Sequence, residues 1–154
     1  MKNLVAVSMM ALLTACGAAK ENNVAAVLAS DTPTRMVYSV DQRPVDGALH
    51  ELTLVRNTDN HYRAEFRTVF VNRIDFSEVS STKQLGNNFK CMFTSQVFCS
   101  EDSRPVDGAL HELTLVNNGS GSFDAFFRTV FVDRISGKEI ETTKDLAQNL
   151  RKEQ

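Results

Sequence analysis

The chain has 154 residues, of which 42% are hydrophobic and 23% charged, and its formal net charge at pH 7 is −2. This composition is typical of a folded globular protein. The slightly acidic balance argues against nucleic-acid binding and against purely electrostatic attachment to anionic lipid, because both require a basic surface.

The first fifteen residues have the pattern of an export signal. Lys2 supplies a short basic start, and an apolar run follows from Leu4 to Leu13. An apolar run of about ten residues is too short to span a bilayer, but it matches the central region of a signal peptide. The run ends in Leu13-Thr14-Ala15-Cys16, which resembles the lipobox of bacterial lipoproteins.

The lipobox resemblance implies that Cys16 is lipidated. In that family, a diacylglyceryl group is attached to the cysteine sulfur, cleavage occurs before the cysteine, and the new amine usually takes a further acyl chain such as palmitate. Two or three acyl chains make membrane attachment effectively permanent. Residue 17 is Gly and not Asp, which by analogy with sorting in Gram-negative bacteria favours the outer membrane. The alternative is an ordinary secretory signal that happens to contain a cysteine.

We expect four segments along the chain. Residues 1–15 are the predicted lipoprotein signal peptide, and residues 16–35, rich in Ala, Asn, Ser and Thr, are a predicted flexible tether between membrane and body. Residues 36–93 and 94–154 are predicted to be two β repeats.

A repeat of 61 residues is the basis for that division. Arg43–Val55 recurs letter for letter as Arg104–Val116, and 28 of the 48 positions in Arg43–Lys90 are identical to those in Arg104–Arg151. The copies differ mainly in segments rich in the turn residues Asn, Asp, Gly and Ser. A unit of about 60 residues is marginal alone, whereas two together can bury roughly two-thirds of the unfolded surface. We therefore expect one pseudo-twofold body and keep two independent units as the alternative.

Alternating patterns predict four antiparallel strands in each repeat. His111–Val116 alternates between two faces, and Phe123–Asp133 places phenylalanines on both faces, as in a strand that is covered on both sides. Ser136-Gly137 then predicts a hairpin turn into a further strand. The predicted fold is all-β with short helices, a small antiparallel barrel or sandwich, and closure into a barrel would remove exposed edges.

One short helix is predicted near the end of each repeat. Ser81-x-x-Gln84 and Thr142-x-x-Asp145 have the spacing of helix-capping boxes or close variants. Leu146 and Leu150 are four residues apart, as on one face of a helix.

Cys91 and Cys99 are predicted to form a disulfide. If Cys16 carries lipid, they are the only remaining pair, and a hairpin at Thr94-Ser95-Gln96 would place them opposite each other. An exported protein also folds in an oxidising compartment. The alternative is a metal-binding or redox pair, which no Cys-x-x-Cys spacing or nearby histidine supports.

The best candidate for a binding site is the loop that opens each repeat. Its candidate residues are Asp41, Arg43 and Asp46 in the first copy and Asp102, Arg104 and Asp107 in the second. Two carboxylates before a glycine could bind calcium, and the arginine could hold a carboxylate or phosphate through a bidentate contact. The structural alternative is that Pro, Asp and Gly simply form a turn, which an Arg–Asp pair locks.

Two histidine–glutamate pairs, His50-Glu51 and His111-Glu112, are the nearest approach to acid–base chemistry. Adjacent strand residues point to opposite faces, so a histidine and its glutamate cannot reach one ligand. We expect these histidines in or beside the core, with an approach across the pseudo-twofold axis as the alternative. No Ser-His-Asp arrangement, phosphate loop or nucleotide fingerprint is readable, and we predict no catalytic residues, metal centre or cofactor.

These observations favour a lipid-anchored protein of the bacterial cell envelope that acts by binding and not by catalysis. Its expected partners are the membrane, through lipid on Cys16, and an envelope protein. The alternative is a β-barrel lipoprotein that binds a small ligand, or calcium at the two aspartate loops. An enzyme is the least favoured class.

Overall fold

The computed structural model describes residues 33–43, 47–57, 59–104 and 108–154. Their strands are β1 Arg35–Asp41, β2 Ala48–Arg56, β3 Tyr62–Val71, β4 Glu78–Phe93, β5 Val97–Asp102, β6 Ala109–Asn117, β7 Ser122–Val132 and β8 Glu139–Lys152. Each strand is antiparallel to the next, and β8 pairs with β1 to close a barrel. The all-β fold predicted from alternation is confirmed.

The predicted signal peptide, Cys16 and the predicted tether up to residue 32 lie outside the described residues. Within the described ranges, no helix is long and apolar enough to cross a membrane.

The two repeats pair their strands in the same register. Leu52 lies opposite Phe66 between β2 and β3, and Leu113 lies opposite Phe127 between β6 and β7. The β3–β4 and β7–β8 pairs also contain two register shifts each, at equivalent places. The 61-residue period of the sequence is therefore also a period of the backbone.

A single apolar core fills the barrel, and all eight strands contribute to it. Its buried residues are Met36, Tyr38, Leu52, Leu54, Tyr62, Ala64, Leu85, Phe89, Val97, Cys99, Leu113, Leu115, Ala125, Phe127 and Leu150. Tyr38 of the first repeat packs edge-on against Phe123 of the second, with ring centroids 5.3 Å apart. Because the core draws on both repeats, neither repeat can bury its inner face alone.

The repeats are joined along two short seams. In the first, β4 pairs with β5 only between Lys90–Phe93 and Val97–Ser100. In the second, β1 pairs with β8 only between Tyr38–Ser39 and Arg151–Lys152. Most of β4 and β8 therefore pairs only with the strand that precedes it.

The first seam contains a carboxylate where the second has an apolar side chain. Glu101 Oε2 accepts hydrogen bonds from the backbone N–H groups of Asn87 and Asn88, each at 3.1 Å. A Cβ at Gly86 would lie 2.5 Å from that oxygen, so the absence of a side chain permits the approach. The position equivalent to Glu101 in the other seam is Val40.

The Cys91–Cys99 disulfide is present in the first seam. The two cysteines lie directly opposite each other on β4 and β5, and Cys99 is fully buried. This prediction is confirmed, and the bond joins the two repeats at their junction.

The two short helices predicted from the sequence are wrong, because those residues lie inside β4 and β8. The register shifts insert extra residues into β4 and β8 relative to their partners. Leu85 and Phe89, four residues apart, are both buried, and Leu146 and Leu150 both pack in the core. Residues four apart share one face of a strand as well as of a helix, so this spacing does not distinguish the two. The bulges interrupt the strict alternation, because Asn87, midway between Leu85 and Phe89, is exposed.

Two hairpin arms, residues 70–84 and 131–145, extend beyond the core at one end of the barrel. Residues 78–84 and 139–145 are exposed along their whole length. Phe70 and Phe131 face the barrel interior, yet they are 52% and 47% exposed. The interior is therefore open to solvent between the arms, and we call this opening the mouth.

Reduction of the Cys91–Cys99 bond should lower the free energy of unfolding by about 2–3 kcal/mol, because so short a loop restricts the unfolded chain only modestly. Urea unfolding of oxidised and of reduced, alkylated protein would measure the difference. Both samples should carry Cys16→Ser, so that no other thiol contributes. Identical midpoints for the two samples would contradict the presence of the bond.

Candidate functional site

The repeated loop holds its arginine in an ion-pair cluster on the outer face of the barrel. Arg43 donates to Asp41 from Nε at 2.9 Å and from Nη2 at 2.8 Å, and to Glu78 from Nη1 at 2.6 Å. The second repeat has the same cluster in Asp102, Arg104 and Glu139, at 3.0, 2.9 and 2.6 Å. We call these trios the arginine clamps. Each clamp ties the first strand of its repeat to the fourth.

The clamps change the acidity of their aspartates. Hydrogen bonds from Arg43 lower the pKa of Asp41 from its usual 3.8 to about 2, and those from Arg104 do the same for Asp102. The same contacts raise the pKa of both arginines. Both aspartates are therefore ionised at neutral pH.

The structure brings together four of the six loop residues predicted as a binding site: Asp41 with Arg43, and Asp102 with Arg104. Asp46 and Asp107 lie outside the described residues. Sequence reasoning missed Glu78 and Glu139. The signal was available, because this glutamate is identical in both copies between flanking residues that differ.

The clamp geometry limits what these residues can bind. Asp41 and Glu78 already use three of the five N–H donors of the Arg43 guanidinium, so an incoming anion finds one free N–H on each Nη and competes with two carboxylates for the charge. A calcium ion would compete with Arg43 for both oxygens of Asp41. Within residues 33–43, 47–57, 59–104 and 108–154, no group of three or more His, Cys, Asp or Glu side chains could hold a metal ion.

The two histidines face the barrel interior in equivalent positions. His50 stacks on Phe66 with ring centroids 5.7 Å apart, and His111 stacks on Phe127 at 5.6 Å. Burial lowers the pKa of His50, which favours its neutral form. Glu112 lies on the other face, where it binds Arg128. Histidine and glutamate are thus separated by the sheet, as strand alternation predicts.

A cavity of about 340 Å³ lies below the mouth. It is lined by Lys83, Gln84, Leu85, His111, Phe127, Thr129, Phe131, Thr142 and Lys144. Nζ of Lys83 lies 5.7 Å from the ring centroid of Phe127, a cation–π distance. Lys83 belongs to the first repeat and Phe127 to the second, so the cavity exists only because the barrel brings the repeats together.

The turns of the hairpin arms expose large apolar side chains. Ile74 is 91% exposed, Phe76 is 79% exposed and Ile135 is 98% exposed. Phe76 also has a positive φ of 58°, whereas Gly137 occupies the equivalent position with a φ of 67°. An aromatic residue in this left-handed conformation is strained, and such strain often marks functional positions.

No protein-family model, curated protein or solved structure matches the chain. Three regions of the structure are candidates for a functional role: the clamps, the cavity and the hairpin arms. Within each clamp, the arginine is already paired with two carboxylates. The cavity and the arms present side chains that the described residues leave accessible.

Replacing Asp41 and Asp102 by Asn should remove the acid-sensitive stability that the clamps supply. The folded-state pKa values, about 2, lie below the usual 3.8, so the unfolded state binds protons first. The contribution is complete above about pH 4 and is lost as the pH falls towards about 2. Urea unfolding across this window should show the wild type losing its advantage over the double variant.

The control for this experiment is Asp59→Asn, which removes an exposed carboxylate outside both clamps. Its loss of stability in acid should parallel that of the wild type. A constant difference between wild type and the clamp variant at every pH would contradict the assignment.

Proposed function

We propose that the chain is a lipid-anchored protein of the bacterial cell envelope, attached through lipid on Cys16, and that it acts as a non-catalytic binding module. Its Gly17 favours the outer membrane as the site of attachment. The lipobox-like Leu13–Cys16 segment supports the anchor. The Cys91–Cys99 disulfide fits an exported protein, because such bonds persist in oxidising compartments.

The observation that carries the binding function is the apolar surface of the hairpin arms. Its exposed side chains, from both repeats, are Phe70, Ile74, Phe76, Val79, Phe131, Ile135 and Ile140. Clusters of exposed apolar side chains on a soluble protein typically mark a surface that another molecule covers. We assign the arms to contact with a partner.

Phe76 gives this surface an aromatic anchor. Glycine would fit its left-handed backbone without strain, as Gly137 does in the other repeat. Exposed aromatic side chains are frequent anchors of protein–protein contacts because they bury a large area on binding. The first arm is therefore the stronger contact of the two.

The attachment point favours an envelope protein as the partner. β1 begins at Arg35, beside the turn that joins β2 to β3, and this end of the barrel is opposite the hairpin arms. The chain from the lipidated cysteine thus joins the barrel at one end, and the apolar arms project from the other. This arrangement suits a module that reaches from its anchor to a second protein.

A small ligand is the second candidate, favoured by the cavity of about 340 Å³ below the mouth. Calcium at the aspartate loops has weaker support, because Asp41 and Asp102 already pair with arginines.

Cys16→Ser should abolish lipidation and release the protein from membranes. Metabolic labelling with palmitate, followed by membrane fractionation, would test this. Cys91→Ser together with Cys99→Ser is the matched control, since it removes the two other cysteines of the chain and should leave the label in place. Palmitate that remains on the Cys16→Ser protein would exclude this anchor.

A photoreactive residue in place of Ile135 should cross-link a discrete partner in intact cells. The same residue in place of Ser120, in the turn joining β6 to β7 at the opposite end, is the positional control. Excess full-length chain carrying Cys16→Ser should compete with the cross-link, because it presents the same arms.

The competitor that additionally carries Ile74→Ser and Phe76→Ser should compete less, by about tenfold or more in the concentration needed. Both side chains are exposed, so the substitutions should leave the barrel folded. The same products from Ser120, or equal competition by both competitors, would exclude the arms as the contact surface.

A further inference from the structure

We propose that the cavity below the mouth binds an amphipathic anion, a molecule with a carboxylate or phosphate headgroup and one apolar chain. The proposal rests on the small-ligand candidate for the function. It uses side chains near the base of the hairpin arms, whereas the partner contact is tested at the turns of the arms, at Ile74, Phe76 and Ile135. Lys83 and Lys144 bind the headgroup, and Leu85, Phe127 and Phe131 contact the apolar chain.

Two lysines give the cavity its positive charge. Lys83 extends from β4 and Lys144 from β8, at equivalent positions of the two repeats, and both line the cavity. In the part of the chain that the structure describes, neither lysine lies within 4 Å of a carboxylate oxygen. Two ammonium groups from different repeats thus border one apolar space.

None of the side chains that line the cavity is acidic, and Asp145, next to Lys144 on β8, is not among them. Glu112 and Glu141 lie on the outer face and both bind Arg128. Glu101 accepts hydrogen bonds from backbone N–H groups of β4 and does not line the cavity. The charge presented to a ligand is therefore positive, which complements an anion.

His111 provides a polar atom that a ligand or a bound water can satisfy. Its Nδ1 is buried and has no hydrogen-bond partner among the described residues. In the other repeat, Nδ1 of His50 lies 3.4 Å from the hydroxyl of Thr68. A buried polar atom without a partner is unfavourable. Thr129 and Thr142 add hydroxyl groups to the same cavity.

The size and the walls of the cavity define the rest of the ligand. A volume of about 340 Å³ lies at the lower end of the range of about 300–1,000 Å³ found for ligand pockets. Leu85 and Phe127 form apolar walls in the interior, and Phe131 continues them to the mouth, where it is 47% exposed. A short single chain fits this space and would cover Phe131 on binding.

Calorimetric titration of the full-length chain carrying Cys16→Ser with decanoate tests the proposal. Decanol is the control without the charge, and acetate is the control without the apolar chain. Comparison with decyl phosphate shows whether the site prefers a carboxylate or a phosphate headgroup. Decanoate or decyl phosphate should bind more tightly than decanol or acetate. The binding should weaken at high ionic strength, because both lysines are exposed to solvent.

Lys83→Gln combined with Lys144→Gln should weaken binding of the anion by about tenfold and leave that of decanol unchanged. Lys90→Gln with Lys138→Gln removes the same charge at exposed positions outside the cavity and should bind like the parent. Ile74→Ser with Phe76→Ser should also bind normally, which separates this site from the partner contact.

No binding of either anion, or equal binding by the two lysine variants, would overturn the proposal. Acetate binding as tightly as decanoate would overturn the role of the apolar walls. A cross-link at Ile135 that persists in either case would leave the partner contact standing while the ligand site falls.

Discussion

Closure of the sheet is the constraint on which the rest of the structure depends. Each repeat has four strands and one apolar face, and among the described residues that face is covered by the other repeat. Leu52 and Leu54 from one repeat, and Leu113 and Leu115 from the other, are fully buried in the shared core. Burying one such side chain stabilises the fold by about 1.5–3 kcal/mol, so a few of them equal the net stability of a typical domain, about 5–15 kcal/mol.

The way the barrel closes also creates its open end. β4 and β8 each have two parts, one on either side of their bulges. The first part extends beyond the core as one side of a hairpin arm, and the second part pairs with the other repeat in a seam. Because the seams are short, the inner face near the arms stays in contact with solvent. The cavity, the two inward lysines and the exposed phenylalanines all follow from that incomplete closure.

The two repeats have the same strand register, and they differ at the hairpin arms and the seams. The arginine clamps and the His–Phe stacks are the same in both, because they fix loops and strands that both copies need. Differences appear at the arms and seams: Phe76 stands where the second copy has Gly137, and Glu101 where the first has Val40. The arms are therefore not equivalent, and a partner would meet an aromatic residue at the turn of only one of them.

The sequence by itself determined the duplicated unit, the strands, the Cys91–Cys99 pair and the all-β class. These properties follow from local alternation, from the 61-residue period and from the small number of cysteines, and none requires knowledge of distant contacts. The same local logic failed at Leu85 and Phe89, because residues four apart share a face in a strand as well as in a helix, and the bulges interrupt the alternation that would have indicated a strand.

Only the tertiary structure decided which side chains meet in the clamps and in the cavity. Arg43 was predicted from its loop, but Glu78, the third member of its clamp, is 35 residues away. It meets Arg43 only when β1 and β4 belong to one sheet. Lys83 and Phe127 come from different repeats and border one cavity only after the barrel has closed. Such proximity depends on strand order, register and bulges together, and no single stretch of residues encodes it.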